Sequence, residues 1–408
     1  MRFSSRKVTA CRLCQSAKLE TLFSLPPLPL VGIPVAEQTG IESHPLRACQ
    51  CGECGLVQLS EIISQEAYAD YRYTPSHASG FRQYADELAA TLINRFGVGP
   101  VLEIGSSDGQ LLLSCRKRGC PTLGFEPAKR LAVESRAAGI PTLEAYFTRD
   151  TVGLIPKDFG PASFVVIRHG LEHLPDFADI MGAVRAALDP KRGVLVIEVP
   201  YLGDIVNEEQ FYAFFHEHLQ YFSLGAMGRM LQRHGFKILE AKRVFPEGGS
   251  MLVFAALANS PLAREFPAPT FADFAGDDQL AQVEKLQNFG RNFAARIADF
   301  QDFVREARGR GLKLAAWGAG QRGISLLNLC GFGPDDFQHV IDVNPAYHGR
   351  LTPGSNIPIV GPVALKTKPV DGIIVFATGY LPSIRAEYTS FEKSGGRFAR
   401  IVPKLQWL

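Results

Sequence analysis

Short apolar runs alternate with helix-like segments through the middle of the chain. The spacing of apolar residues in 110–118, between the first two runs, is helical. Strands that alternate with helices predict a doubly wound α/β fold with a parallel sheet. Further on, residues 236–256 form two strand-like runs around Glu247-Gly248-Gly249, which predicts an antiparallel edge pair. The predicted strands of the parallel sheet are Val101–Ile104, Thr122–Phe125, 163–167 and 194–199.

A second α/β unit with the same pattern is expected nearer the end of the chain. Its first strand, Leu314–Trp317, runs into a glycine-rich loop and then a helix that ends near Leu329. Apolar residues between 277 and 308 recur at helical spacing, so we expect one long helix to link the two units. Later strands of this unit are expected at residues 340–342 and 372–376.

Composition and charge restrict the class of protein. A chain of 408 residues with 46% hydrophobic content is expected to form two or three packed domains, which we place at 1–70, 71–270 and 271–408. The formal net charge is only +2, with no long basic run, so no nucleic-acid partner is expected. We see neither a signal peptide nor an apolar run long enough to span a bilayer, and we therefore expect a cytoplasmic protein without a membrane partner.

Four of the eight cysteines occur as two pairs with metal-ligand spacing, Cys11-x-x-Cys14 and Cys51-x-x-Cys54. Such pairs let two thiolates reach one tetrahedral zinc ion, and two pairs complete its coordination shell. Because sulfur fills all four positions, the zinc is expected to be structural. Cys49 is a competing ligand, and four unrelated buried thiols are the alternative interpretation.

A glycine-containing loop follows the first predicted strand and opens a helix. Its pattern is typical of the loop by which doubly wound folds hold S-adenosylmethionine (SAM), because glycine lets the backbone approach a ligand closely. Glu103 or Asp108 would meet the ammonium group of SAM. An ordinary α/β turn capped by Asp108 is the alternative. The predicted cofactor-binding residues of the loop are Glu103, Gly105, Ser107, Asp108 and Gly109.

Two later segments support this interpretation. Glu126-Pro127 lies at the end of the next strand, where an acidic side chain can bind both ribose hydroxyls. Residues 168–176 resemble the segment that class I methyltransferases place beside the adenine and the methyl group, so His169 is predicted to be a further cofactor contact. His173 in that segment either contacts the cofactor or anchors the loop.

An aromatic segment, residues 211–222, contains His216-Glu217-His218. Carbon methylation beside a ketone requires a base for the α-proton, and His218 is the candidate, with Glu217 orienting or charging it. On an extended loop, His216 and His218 would share one side and Glu217 the other. Hydroxyl donors are expected from Tyr221 and from a helical connector after the cysteine pairs, which carries Tyr71 and Tyr73.

The second glycine loop, Gly318-x-Gly320-x-x-Gly323, permits two interpretations. With Asp342 about twenty residues further on, it fits a dinucleotide fingerprint, and a nicotinamide oxidoreductase is one possibility. Glycine loops also bind the pyrophosphate of sugar nucleotides. On the second interpretation, the substrate-binding residues are Gly318, Gly320, Arg322, Asn328, Asp342 and Asn344.

From Cys11 to about Pro362, the chain resembles the three-domain, SAM-dependent sugar-nucleotide C-methyltransferases of antibiotic deoxysugar biosynthesis. Residues 44–59 resemble the second zinc knuckle of that family, and residues 215–223 resemble its catalytic loop, usually written Tyr-His-Glu-His. Residues 316–328, Asp342-x-Asn344-Pro345 and residues 353–359 resemble its carboxy-terminal domain. The resemblance implies a small zinc module, a class I methyltransferase sheet and a second Rossmann-like α/β domain.

It further implies that a nucleotide-activated 4-keto-6-deoxysugar binds between the last two domains and is methylated beside its ketone, usually at carbon 3. His218 aligns with the family base, and Glu217 and His216 align with its partners. The chain departs from the family at Phe215, which replaces a tyrosine, and at His169, where asparagine is common. Residues 321–322 and 377–380 also differ from the family pattern.

Alternative functions remain open on the sequence alone. The loss of the family tyrosine at Phe215 makes methylation of a sugar oxygen or nitrogen a second possibility. A zinc-stabilised binding module without catalytic activity is disfavoured, because a scaffold has no need for two imidazoles and a carboxylate in one aromatic segment. A monomer or weak homodimer is expected.

Overall fold

The computed structural model describes residues 5–30, 34–36, 42–63, 75–402 and 404–408, apart from the side chain of Glu247. Tyr71 and Tyr73, which the sequence predicts to be hydroxyl donors, lie outside the described residues. Nineteen strands and thirteen α-helices are present in the part described.

The strands are numbered in chain order. They are β1 Ser5–Lys7, β2 Leu19–Pro29, β3 Ser43–Cys51, β4 Val57–Leu59, β5 Glu61–Ile63, β6 Val101–Ile104, β7 Thr122–Phe125, β8 Thr142–Leu143, β9 Phe164–Arg168, β10 Val194–Pro200, β11 Gln220–Tyr221, β12 Phe236–Val244, β13 Ser250–Leu257, β14 Leu314–Trp317, β15 Val340–Ile341, β16 Ile359–Val360, β17 Gly372–Val375, β18 Arg397–Arg400 and β19 Gln406–Trp407.

The helices are numbered in the same way. They are α1 Ser79–Phe96, α2 Gln110–Arg116, α3 Lys129–Ala137, α4 Phe177–Ala187, α5 Leu202–Asn207, α6 Leu224–Arg233, α7 Pro261–Glu265, α8 Val283–Arg291, α9 Phe293–Gly309, α10 Gln321–Leu329, α11 Ala364–Thr367, α12 Leu381–Glu387 and α13 Thr389–Lys393. None of these helices, among the described residues, combines the length and apolar character needed to cross a bilayer.

A seven-stranded sheet in the order β12-β13-β10-β9-β6-β7-β8 forms the central unit. The five strands from β8 to β10 are parallel, whereas β13 and β12 are added antiparallel at one edge. All residues of β6, β7 and β9 are buried, as expected for parallel strands covered on both faces. The doubly wound prediction and the antiparallel pair are both confirmed. The carboxyl ends of β6, β7 and β9 therefore meet at one edge, where Gly105, Glu126 and His169 follow them.

The second α/β unit contains a six-stranded sheet in the order β16-β15-β14-β17-β18-β19, with only β19 antiparallel. The prediction of one long linking helix was wrong, because a 3₁₀ turn, α8 and α9 replace it. The carboxylate of Asp277 accepts hydrogen bonds from the backbone N–H groups of Leu224 (2.7 Å) and Gly225 (2.8 Å) at the start of α6. This tertiary contact holds Asp277 outside the helix that its sequence spacing predicts.

The N-terminal module is tied to the central unit through the sheet β11-β4-β3-β2. In this sheet, β11 comes from the aromatic segment, and its Gln220 and Tyr221 pair with Gln58 and Val57 of β4. Periodicity does not predict this pairing, because a two-residue strand has no pattern of its own. Its consequence is that His218 lies next to a strand shared with the cysteine-containing module.

Candidate active site

A cavity of about 580 Å³ opens at the carboxyl ends of β6, β7 and β9. It brings together the glycine loop and the aromatic segment, which are about a hundred residues apart in the chain. Gly109 does not line the cavity. It adopts a φ of +83° at the start of α2, where a Cβ atom would lie 2.6 Å from the Ser135 hydroxyl. The predicted residues that line the cavity are Glu103, Gly105, Ser107, Asp108, Glu126, Pro127, His169, Glu217 and His218.

The end of β6 and the loop after it present carboxylates to the cavity. Glu103 is buried, and one of its carboxylate oxygens has no hydrogen-bond partner among the described residues. Burial raises the pKa of Glu103 to about 8, despite the opposing effect of Arg168. Asp108 accepts a hydrogen bond from the Ser76 hydroxyl. Gly105 has a φ of +68° and open space where a Cβ would stand. These features fit SAM, whose ammonium group would satisfy the orphan oxygen of Glu103.

Glu126 is held rigidly at the end of β7. Its Oε2 accepts a hydrogen bond from Ser107 N (2.8 Å), and its Oε1 accepts one from Ala128 N (2.8 Å). Burial raises the pKa of this carboxyl group, while the two backbone donors oppose the shift. Each carboxylate oxygen retains acceptor capacity, so Glu126 is positioned to bind ribose hydroxyls.

A buried charged network lies beneath the cavity. His169 Nε2 donates to Glu198 Oε1 at 2.8 Å, and Tyr84 OH donates to Glu198 Oε2 at 2.9 Å. Burial favours the neutral form of His169, but Glu172 and Glu198 outweigh it and raise the pKa to about 10. His169 is therefore an imidazolium near pH 7. Its φ of +46° is unusual for a residue with a side chain, and such strain is concentrated at functional sites.

His218 and Glu172 form the acid-base face of the cavity. His218 Nε2 lies 4.0 Å from Glu172 Oε1, which is 3.7 Å from His169 Nδ1. Glu172 is 1% exposed, and neither of its oxygens has a hydrogen-bond partner in the described part of the chain. Burial, reinforced by electrostatic interactions with His173, Arg322 and His169, holds the pKa of His218 well below its usual value. His218 is therefore neutral near pH 7, as a general base must be.

The expectation that His216 and His218 share one side was wrong. His216 Nε2 donates to the carbonyl oxygens of His44 and Pro45, each at 3.2 Å, whereas Glu217 lines the cavity together with His218. The physical reason is a turn at residues 216–217, since extended structure begins only at Gln220. Burial lowers the pKa of His216 to about 4.

Two further side chains support this loop. His173 Nδ1 donates to the Glu217 carbonyl oxygen at 2.8 Å, and its ring lies 4.9 Å from that of His218. Tyr221 is buried outside the cavity lining, and its hydroxyl oxygen accepts a hydrogen bond from Phe215 N at 3.3 Å. In this structure Tyr221 holds the loop rather than facing the cavity.

A second cavity, of about 160 Å³, lies between the central and C-terminal units. Asp342 holds the second glycine loop in place, because its Oδ2 accepts a hydrogen bond from Ala319 N (2.7 Å). Its Oδ1 accepts one from Asn344 N (2.8 Å). Gln321 lines both cavities, which places the two sites side by side. The predicted residues that line the second cavity are Gly318, Gly320, Arg322 and Asp342.

The two predicted asparagines do not line either cavity. Asn328 donates its amide to the carbonyl oxygens of Ile324 (2.8 Å) and Pro353 (2.9 Å) and so ties α10 to a neighbouring loop. Asn344 caps a short 3₁₀ helix by accepting from Ala346 N at 3.0 Å. Both therefore hold local backbone rather than face a cavity.

The four predicted zinc ligands come together as expected. The Sγ atoms of Cys11 and Cys54 are 3.4 Å apart, those of Cys14 and Cys51 are 3.5 Å apart, and all four lie within 4.8 Å of one another. Sulfur atoms around a tetrahedral zinc are separated by about 3.8 Å, so the set fits one ion. Cys49 lies outside it, with its thiol directed at the Gln58 carbonyl oxygen (3.5 Å).

Sequence reasoning missed Glu172 and Gln321 as site residues. Glu172 adjoins His173 in a segment already associated with the cofactor, but only the tertiary structure shows that it faces His218. Gln321 lies within the second glycine loop, at the first residue of α10, and no sequence feature indicates that it borders two cavities. Tyr146, half-exposed at the cavity wall, was also missed because it lies in an irregular segment.

Comparison with known proteins divides the chain into three matched regions. Residues 11–68 match a zinc binding domain, residues 77–241 match a methyltransferase domain and residues 246–403 match a C-methyltransferase C-terminal domain. The C-methyltransferase NovU of Streptomyces niveus is 30% identical over 410 residues, covering 98% of this chain and 96% of that protein.

Solved structures resemble only part of the chain. Magnesium protoporphyrin IX methyltransferase of Synechocystis, with bound SAM, is 13% identical with a TM-score of 0.33, covering 43% of this chain and 79% of that one. The PH0226 protein of Pyrococcus horikoshii is 14% identical with a TM-score of 0.37, covering 48% of this chain and 99% of that one.

Proposed function

The chain belongs to the SAM-dependent C-methyltransferases with an N-terminal zinc-binding domain, and from this premise we propose that it methylates a nucleotide-activated 4-keto-6-deoxysugar at carbon 3. The observation that carries the proposal is that His218, buried and neutral, lines the same cavity as the SAM loop. A base beside the methyl donor suits a carbon that must lose a proton before it is methylated.

The cofactors of the enzyme are SAM and a structural zinc ion. When bound, SAM supplies an electrophilic methyl group. We propose that Glu103 and Asp108 bind its ammonium group and that Glu126 binds its ribose, because these carboxylates are fixed at the strand ends. Cys11, Cys14, Cys51 and Cys54, none of which lines the cavity, would hold the zinc ion. With four sulfur ligands it would have no position open for substrate.

We propose that His218 removes the proton from the carbon next to the ketone. The C–H bond breaks, the proton moves to an imidazole nitrogen, and the electron pair is delocalised onto the ketone oxygen. With SAM bound, this carbon would form a bond to the methyl group while the methyl–sulfur bond breaks and its electron pair stays on sulfur, leaving S-adenosylhomocysteine. The imidazolium would then return its proton to solvent. Glu172 Oε1 lies 4.0 Å from His218 Nε2 and would stabilise the transient imidazolium, a role that the sequence had suggested for Glu217.

The second cavity is the proposed site for the nucleotide part of the substrate. The loop from Gly318 to Gly320 ends at the N-terminus of α10, where backbone N–H groups favour phosphate. Arg322 adds positive charge to the same lining. Since Gln321 borders both cavities, a diphosphate bound there would direct its sugar toward His218.

The test uses SAM with a ¹³C-labelled methyl group and a panel of 4-keto-6-deoxyhexose nucleotides. Carbon NMR of the product is expected to show a methyl signal on a ring carbon that has lost its proton. A signal typical of an O-methyl or N-methyl group would replace the proposal with the corresponding heteroatom transfer. Reduction of NAD⁺ by the same substrates would favour the oxidoreductase interpretation of the second glycine loop.

A further inference from the structure

We propose that Arg12, inside the first zinc knuckle, is a positioning residue that sets the orientation of His218 by holding the backbone of the catalytic loop. The catalytic loop is defined as residues 215–221. The inference rests on the proposed role of His218 and gives the zinc module a part in catalysis beyond stability. Arg12 lies between the ligands Cys11 and Cys14, so the metal site fixes where its side chain begins.

The contact with the loop is direct. Arg12 Nη1 donates a hydrogen bond to the carbonyl oxygen of Leu219, the residue after His218. Leu59 N, on β4 of the zinc module, donates to the same oxygen at 2.9 Å. On the other side of that residue, Leu219 N donates to the Glu172 carbonyl oxygen at 2.8 Å. Leu219 is thus fixed between the zinc module and the segment that carries the partner of the proposed base.

Arg12 is itself held in place by the zinc module. Its backbone N–H donates to Gln58 Oε1 at 2.9 Å, and Gln58 Nε2 donates to the Ala10 carbonyl oxygen at 3.3 Å. Gln58 also pairs with Gln220 across the β4–β11 ladder. The knuckle, the ladder and the loop therefore form one connected unit.

The second end of the loop is attached to the same module. His216 donates to the carbonyl oxygens of His44 and Pro45, which lie at the start of β3. His218 is therefore bracketed by contacts to the zinc module at residues 216 and 219. A displacement of about 1 Å in a catalytic group can reduce a rate by about a hundredfold, so these contacts have kinetic consequences.

Burial of Arg12 is difficult to explain by packing alone. The side chain is 8% exposed, and its Nε and Nη2 atoms have no hydrogen-bond partner among the described residues. A buried guanidinium with unsatisfied donors destabilises a fold relative to an apolar side chain of similar volume. The hydrogen bond from Arg12 Nη1 to the Leu219 carbonyl oxygen is the contact that can offset this cost.

The experiment compares Arg12→Met, Arg12→Lys and the matched control Arg229→Met in the full-length enzyme. Arg229, on α6, also donates to a carbonyl of the zinc module, since its Nε lies 2.7 Å from Cys54 O, but that bond does not involve the catalytic loop. Four quantities are measured: zinc content, SAM affinity, the kinetics of α-proton exchange in the keto-sugar nucleotide, and amide hydrogen exchange of the peptide containing residues 215–221.

We expect Arg12→Met to keep one zinc and its SAM affinity, to lower kcat for proton exchange by about a hundredfold and to leave KM nearly unchanged. The amides of Gln220 and Tyr221 should exchange faster. Arg12→Lys should recover part of kcat, because an ammonium group can still donate to the Leu219 carbonyl. The kcat of Arg229→Met should stay within about twofold of the wild-type value, because this change removes only one contact outside the catalytic loop.

Wild-type kcat and amide exchange in Arg12→Met would overturn the proposal. So would an equal loss of zinc and activity in Arg12→Met and Arg229→Met, because that result would assign Arg12 a purely structural role. Amide exchange and zinc content need no sugar substrate. If the wild type acts on none of the keto-sugar nucleotides, the proposed function fails, while faster amide exchange confined to the loop of Arg12→Met still supports the positioning contact.

Discussion

The two faces of the main cavity are built in different ways. The cofactor face is local, because Glu103, Asp108 and Glu126 lie in one stretch that covers two adjacent strands and their loops. The acid-base face combines His218 with Glu172 from another loop, and its backbone is held by the N-terminal module. We therefore propose that SAM binding depends mainly on residues of the central sheet, whereas proton transfer depends on contacts between several modules.

The largest expected effect is on the acid-base face. Replacement His218→Ala removes the proposed base and should reduce α-proton exchange and methyl transfer by about 10²- to 10⁴-fold. SAM affinity, measured by calorimetry, should stay within a few-fold, because the cofactor face is untouched. His234→Ala, at the half-buried end of α6, is the control and should retain activity. Full activity in the His218 variant would remove it from the role of base.

Glu172→Gln should have the next largest effect, about 10- to 100-fold on the rate. A base acts only when neutral, so the rate falls as the pH drops through the pKa of His218. We propose that the Glu172 carboxylate, 4.0 Å from His218 Nε2, stabilises the imidazolium and so opposes the lowering of that pKa. Its loss should therefore move the acidic limb of the pH–rate profile to lower pH while the plateau falls. An unchanged acidic limb would show that Glu172 is not coupled to the base.

A change on the cofactor face should weaken SAM binding and leave proton exchange unchanged. Glu126→Gln should weaken SAM binding about tenfold, which is about 1.4 kcal/mol, because a charged acceptor for the ribose is lost. Proton exchange measured without SAM should remain near the wild-type rate. Glu134→Gln, at a half-exposed position of α3 that does not line the cavity, is the matched control. A parallel loss of proton exchange in Glu126→Gln would contradict the separation of the two faces.

The smallest expected effect lies outside both faces. Cys49→Ser should retain one zinc ion per chain, because the Cys49 thiol points to the Gln58 carbonyl and not to the ligand cluster. Cys14→Ser is the contrast and should lose zinc. Metal analysis of the two purified variants distinguishes them, and loss of zinc from Cys49→Ser would revise the ligand set.

The difference between the faces also explains what the sequence could predict. The strands around the glycine loop were correctly placed, since apolar runs and glycine-rich turns are local signals. The orientation of His216 and the role of Asp277 at the start of α6 were not predictable, because each depends on a contact with a distant segment. Glu172 was missed for the same reason: its proximity to His218 exists only in the folded chain.

The central claim is that His218 generates a carbon nucleophile beside the methyl donor. It is tested most directly by incubating a 4-keto-6-deoxyhexose nucleotide with the enzyme in D2O, with S-adenosylhomocysteine in place of SAM, and following deuterium uptake by mass spectrometry. We predict uptake of one deuterium beside the ketone with the wild type, and an uptake rate at least about a hundredfold lower with His218→Ala. Equal uptake by both proteins would contradict it.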